Sequence, residues 1–280
     1  MNYTEKALVF PCCGHSLVGV LTLPQSPLPR GVVIVVGGPH YRVGSHRQFL
    51  ILSRQLADAN IPVFRFDYRG MGDSEGETRT FEGVDEDIRS AIDAFFSEIP
   101  SLNSVVIWAL CDAASAALIY APGDPRISGL VLANPWVRTP EGLARVMVKH
   151  YYLSRLLQRV FWQKLLSGQV KPLVALRDFL RNILVRNTKS ESFPDLPPAF
   201  PDRMAVGLQR FPGPVLWILS GEDLTAQEFE GMIKTAPIWR RAIERPGMAW
   251  RRLPEATHTF SRQSWREQIG RWTIDWVKSL

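Results

Sequence analysis

Residues 105–120 read Val-Val-Ile-Trp-Ala-Leu-Cys-Asp-Ala-Ala-Ser-Ala-Ala-Leu-Ile-Tyr, an apolar run that passes through Cys111 straight into an alanine-rich segment. The first half has the composition of a strand buried on both faces, and the second that of a buried helix. No turn cluster separates them, so strand gives way to helix at one residue, which is raised at the tip of a sharp turn. Such a turn presents a nucleophile when the positions two before and two after it are small enough for strand and helix to pack closely. Those positions are Ala109 and Ala113, where the common pattern has glycine, and the apex is a cysteine in place of the usual serine. The sequence predicts Cys111 as the nucleophile, with the backbone N–H of Asp112 directed at the oxyanion formed on attack.

The thiolate is the attacking form of cysteine. An isolated thiol titrates near about 8.5, and helix N-termini or a neighbouring histidine favour the thiolate. The competing reading of Cys111 is a buried structural thiol, because free cysteine packs as a small hydrophobe. Ser115 is the rival nucleophile, but a serine inside a helix is expected to return its hydroxyl to the carbonyl four residues back. The choice turns on whether an acid and a histidine follow in order.

They do. Residues 215–219 and 250–253 read as late strands, and they run into Ser220-Gly221-Glu222-Asp223 and Pro254-Glu255-Ala256-Thr257-His258. Cys111, Asp223 and His258 thus each follow the end of a strand, where open parallel sheets gather their reactive side chains. Neutral imidazole takes the thiol proton, and a carboxylate fixes its tautomer and steadies the imidazolium. Glu222 is the adjacent competitor of Asp223, whose shorter side chain is the commoner choice. An early strand at 32–36 leads into Gly37-Gly38-Pro39-His40. Pro39 has no N–H to give, so the second oxyanion donor falls to Gly38 or His40, and His40 is also placed to contact substrate.

The remaining chain fits around these loops. A hairpin is expected from 7–10 and 16–23, a helix over 45–59 with Ser45 as its N-cap, a buried strand at 62–66 and a helix over 84–96. Strands at 103–109 and 127–133 and a closing helix over 263–277 complete an alternation that implies an α/β fold. Its central sheet is mostly parallel, with helices on both faces. Between about 137 and 204 apolar residues recur at helical spacing, with no strand-like run. The expected organisation is a core of residues 1–136 and 206–280 with a helical cap at 137–205. The Gly70 to Gly76 turn lacks the third glycine of a dinucleotide fingerprint in register, so no nucleotide cofactor is expected.

At 280 residues, 46% hydrophobic and 21% charged, the chain has the composition of a globular enzyme. Three cysteines and five histidines show no ligand-like spacing, so no metal and no other cofactor are predicted. The absence of a basic leader or long apolar run predicts a cytoplasmic protein with reduced cysteines. The net charge of +6 is concentrated: residues 140–189 hold ten Lys or Arg against Glu141 and Asp178, a local +8. One basic segment on an otherwise slightly acidic chain argues against a nucleic-acid binder. It points to guidance of an anionic small-molecule or carrier-bound acyl substrate, or to peripheral membrane contact through Leu153, Phe161 and Trp162. His46 and His150 are expected on the surface or the cap. Oligomeric state leaves no mark in the sequence.

Three motifs carry a family resemblance: residues 37–49 (Gly-Gly-Pro-His-Tyr-Arg-Val-Gly-Ser-His-Arg-Gln-Phe), 110–116 (Leu-Cys-Asp-Ala-Ala-Ser-Ala) and 221–229 (Gly-Glu-Asp-Leu-Thr-Ala-Gln-Glu-Phe). With the Asp-x-Arg-Gly-x-Gly-x-Ser turn at 67–74, the whole chain resembles an α/β-hydrolase. Within that fold it is similar to the first of the two hydrolases associated with the exosortase A system, departing from it at Ala109 (Gly there) and His40 (Gln there). The resemblance implies a Gram-negative bacterial protein linked to exopolysaccharide and protein sorting. The cysteine nucleophile also resembles that of dienelactone hydrolases, which adds thioesters and lactones to esters as candidate substrates. The reading is hydrolysis or transfer of an acyl group through a Cys111 acyl-thioester. The alternative is a catalytically weak binding protein that uses its basic cap to hold an anionic ligand or membrane surface.

Overall fold

The computed structural model describes residues 2–38, 40–138 and 199–280. Strands β1 (Tyr3–Cys12) and β2 (His15–Pro24) form an antiparallel hairpin closed by Cys13 and Gly14, both at positive φ as a two-residue hairpin turn requires. β2 pairs antiparallel with β4 (Val63–Phe66), and every later pairing is parallel. These bring in β3 (Arg30–Val35), β5 (Ser104–Leu110), β6 (Ile127–Ala133), β7 (Val215–Ser220) and β8 (Met248–Leu253). The order is β1-β2-β4-β3-β5-β6-β7-β8.

Both faces of this sheet are covered, which is why its central strands read as continuous apolar runs rather than alternating ones. Val32, Ile34 and Val36 pack with α1 (Gln48–Asp58) and with α7 (Gln263–Lys278) through Phe49, Leu52, Ile269 and Val277. Val33 and Val35 point the other way, toward α2 (Asp85–Glu98) and α3 (Asp112–Tyr120). That face continues under α4 (Phe200–Arg210), α5 (Leu224–Thr235) and α6 (Pro237–Ile243). Alternate residues of one strand thus feed two separate cores.

The expected strands and helices are present, with three differences. The hairpin is longer than 7–10 and 16–23. Helix α1 begins at Gln48 rather than Ser45, because His46 and Arg47 take left-handed conformations; Ser45 does not cap it, and its hydroxyl instead faces His40 Nδ1 at 3.3 Å. Helices α5 and α6 were not anticipated. The expected cap boundary at 205 falls inside α4, which packs against α3. There a Cβ on Gly207 would collide with the Leu118 carbonyl oxygen. The rest of the expected cap, with His150, Leu153, Phe161, Trp162 and the basic cluster of 140–189, lies outside the described residues. Among the described residues no helix is long and apolar enough to cross a membrane.

Candidate active site

Cys111 stands between β5 and α3 at φ 63° and ψ −128°, a conformation that costs a non-glycine residue about 1–3 kcal/mol. The surroundings hold it there. Its N–H donates to Ala133 O at 3.0 Å, and its carbonyl accepts the N–H groups of Ala114 (3.0 Å) and Trp136 (3.1 Å). The loop after β3 closes on the same turn. A Cβ on Gly37 would collide with Asp112 Oδ1 and come within 2.6 Å of Leu110 O and 2.9 Å of Ala113 N, so only glycine allows this approach. Gly38 follows at φ 61°. Burial raises the pKa of the Asp112 carboxyl, against the pull of the Gly38 and Ala113 backbone N–H groups.

Asp223 does two jobs. As N-cap of α5 its carboxylate accepts from Thr225 N at 3.1 Å and Ala226 N at 3.3 Å. Its Oδ2 also meets His258 Nδ1 at 2.8 Å, so the helix start that fixes the acid also aims it. Glu222, the competitor, is exposed. His258 and Cys111 line the same cavity, and with Nδ1 taken by Asp223 the opposite ring nitrogen is the one left for another partner. Burial disfavours a charged imidazole, but the Asp223 hydrogen bond and the attraction of Asp223 and Cys111 outweigh it and push the His258 pKa up to about 10. The structure thus pairs His258 with Asp223 and places His258 and Cys111 on one cavity.

A cavity of about 430 Å³ opens over these residues, lined by Gly37, Gly38, His40, Phe81, Leu110, Cys111, Asp112, Trp136 and His258. Its size suits a small acyl group between aromatic walls. Phe81, Leu110 and Trp136 were not anticipated from the sequence; the signal for Trp136 was its place just past the end of β6. Trp136 is held from two sides. Ser115 Oγ donates to Trp136 O at 2.6 Å instead of to the carbonyl four residues back, which removes it as a nucleophile and makes it a support of the wall. Arg138 stacks over the Trp136 ring at 4.5 Å and pairs with buried Glu228 through Nε at 3.0 Å.

The glycine-rich turn after β4 braces the loop of Gly37 and Gly38. Arg42 on that loop is ion-paired with buried Asp67, donates its backbone N–H to Asp67 Oδ1 at 2.6 Å, and reaches Asp73 at 2.6 Å. Gly72 lies over the Asp67 carboxylate where a Cβ would collide with it. Arg69 locks onto Asp87 of α2 at 2.7 Å, and Ser74 Oγ bridges Asp67 O and Val18 N at 2.6 and 2.9 Å. Tyr68 Oη donates to Gly38 O at 3.4 Å. The turn is therefore a mount for the loop that lines the Cys111 cavity. Among the described residues no group of three His, Cys, Asp or Glu is arranged to hold a metal ion.

Sheet order, strained elbow and an acid–histidine pair past the last two strands define an α/β-hydrolase. More closely, the family model described as serine aminopeptidase, S33, matches residues 27–187, and the chain belongs to that family. Solved structures similar to it include the Pyrococcus furiosus esterase Pf2001 (14% identity, 99% of this chain and 93% of that one, TM-score 0.65). Another is Est1E from Butyrivibrio proteoclasticus with ferulic acid bound (14%, 97% and 98%, 0.63). A third is a dienelactone hydrolase from Anabaena variabilis (14%, 100% and 99%, 0.63). At this identity they speak for the fold. No curated protein sequence matches the chain significantly.

Proposed function

We propose that the protein cleaves, or transfers the acyl group of, an ester, thioester or lactone through a covalent intermediate on Cys111. One observation carries this reading: His258, paired with Asp223 at 2.8 Å, lines the same cavity as Cys111 at the strained apex. The thiolate of Cys111 attacks the carbonyl carbon, the proton residing on His258, and a C–S bond forms. The resulting oxyanion faces the Asp112 N–H and a donor from the Gly38 to His40 loop. Collapse expels the alcohol or thiol, which takes the proton from His258. Water then attacks the thioester, its proton passes to His258, and the C–S bond breaks to release the acid. A different acceptor in place of water gives acyl transfer. No cofactor enters these steps.

The strained apex favours this chemistry over a purely ligand-holding role, since such strain persists where function selects it. The basic segment of 140–189 would guide an anionic carrier-bound or glycan-bound acyl substrate, or touch an anionic membrane, and the reaction belongs in the reducing cytoplasm. The exosortase-associated motifs connect the substrate to exopolysaccharide and protein-sorting chemistry. Labelling with a thiol-directed electrophile tests the nucleophile. Cys111→Ala should abolish labelling at the site while Cys12→Ala with Cys13→Ala preserves it; undiminished labelling of the Cys111→Ala protein would refute the assignment.

A further inference from the structure

Asn134 directly follows β6 at φ 43°, fully buried, in a left-handed conformation that asparagine tolerates better than most residues. A buried side-chain amide must find partners for its donors and its acceptor, and here the partners dictate which way it points. Its Oδ1 accepts the Ser220 N–H at 2.8 Å. Its Nδ2 donates to Ser220 Oγ and to the carbonyl oxygen of His258, each at 2.9 Å. Ser220 Oγ in turn donates to Thr257 O at 3.0 Å. Two successive carbonyls of the histidine loop are thereby tied to the ends of β6 and β7. Glycine would supply the backbone conformation without the amide, and a longer side chain would not seat the amide at this distance. Asparagine meets both demands.

We propose that Asn134 is a positioning residue for the reaction: acting through Ser220 and the His258 carbonyl, it sets where the imidazole stands between Asp223 and Cys111. This rests on the reading of His258 as the base. It touches no reacting atom itself. Ser220 is three residues before Asp223, so the same network registers the acid turn against the histidine loop.

Asn134→Gly keeps the left-handed backbone and deletes the amide. It should be compared with wild type, His258→Ala and the double variant, using p-nitrophenyl acetate turnover and an NMR titration of the His258 ring. The expected result is a fall in kcat of about 10- to 100-fold with KM little changed, the size of loss that small misplacements cause. The ring titration should move down from about 10. In the His258→Ala background the substitution should cost nothing further. A wild-type titration and kcat in Asn134→Gly, or an equal loss in the His258→Ala background, would overturn the proposal. If Asn134→Gly does not fold, Ser220→Ala decides: it removes the hydroxyl that links Asn134 Nδ2 to Thr257 O and leaves the Asn134 tie to the His258 carbonyl, and a downward shift supports the proposal while a wild-type titration overturns it. Near-normal turnover by His258→Ala alone would instead remove His258 as the base, and this inference with it.

Discussion

Cys111 occupies a backbone conformation that suits glycine better than cysteine, strain that the proposed reaction would account for. Cys111→Gly should therefore be more stable than Cys111→Ala by about 1 kcal/mol although both are inactive, because only the first relieves the strain. Thermal unfolding of the two variants checks this; equal stability would mean the turn is not strained. The partner residue gives a pH prediction. A histidine titrating at about 10 when folded binds its proton more tightly than in the unfolded chain. Its contribution to stability is complete below the unfolded value of about 6.5 and is lost as pH rises from there through about 10. Asp223→Asn removes the attracting carboxylate and leaves burial opposed by Cys111 alone, so the His258 ring titration should fall from about 10 toward the ordinary value, as NMR would report. The places of Cys111, Asp223 and His258 past strand ends were legible in the sequence because composition reveals the strands. Asn134, Ser220 and Trp136 were not, since their roles depend on hydrogen bonds between loops far apart in sequence.

Strand β5 and helix α3 deliver the elbow, and two glycines let neighbouring elements come close enough to hold it. Gly37→Ala would drive the oxyanion loop off the Asp112 side chain and Leu110 carbonyl, so esterase turnover should fall by at least about tenfold even where the protein folds. Wild-type kcat/KM in that variant would mean the loop is not part of the site. Gly207→Ala puts a methyl group against the Leu118 carbonyl and pushes α4 off α3, an overpacking expected to cost about 1–3 kcal/mol. Urea denaturation measures it, and an unchanged midpoint would contradict the packing. The strands were legible because a sheet covered on both faces makes them uninterrupted apolar runs. The start of α1 was not, because the left-handed His46 and Arg47 displaced the expected Ser45 cap. Helix α5 was hidden for a different reason: its cap is Asp223 itself, and a residue read as catalytic gave no hint that it also begins a helix.

Across the whole molecule, the parallel sheet places Cys111, Asp223 and His258 past the C-terminal ends of β5, β7 and β8, and the antiparallel hairpin closes the far edge. Ten basic residues against two acids between 140 and 189 place a strong positive charge on the segment joining β6 to α4. If that charge guides an anionic carrier-bound substrate, kcat/KM toward it should fall as salt rises while that toward a neutral ester stays level. Equal salt dependence for both would remove the steering role. The fold was legible at this scale through the alternation of strands and helices, whereas the identity of a substrate leaves no such periodic trace. The central claim is covalent catalysis at Cys111, and intact-protein mass spectrometry tests it most directly. After brief mixing with a panel of activated esters and thioesters, the wild-type protein should gain the mass of one acyl group, mapped by peptide digestion to Cys111 and lost on further incubation. Turnover with no adduct on Cys111, or an adduct that persists in Cys111→Ala, would contradict it.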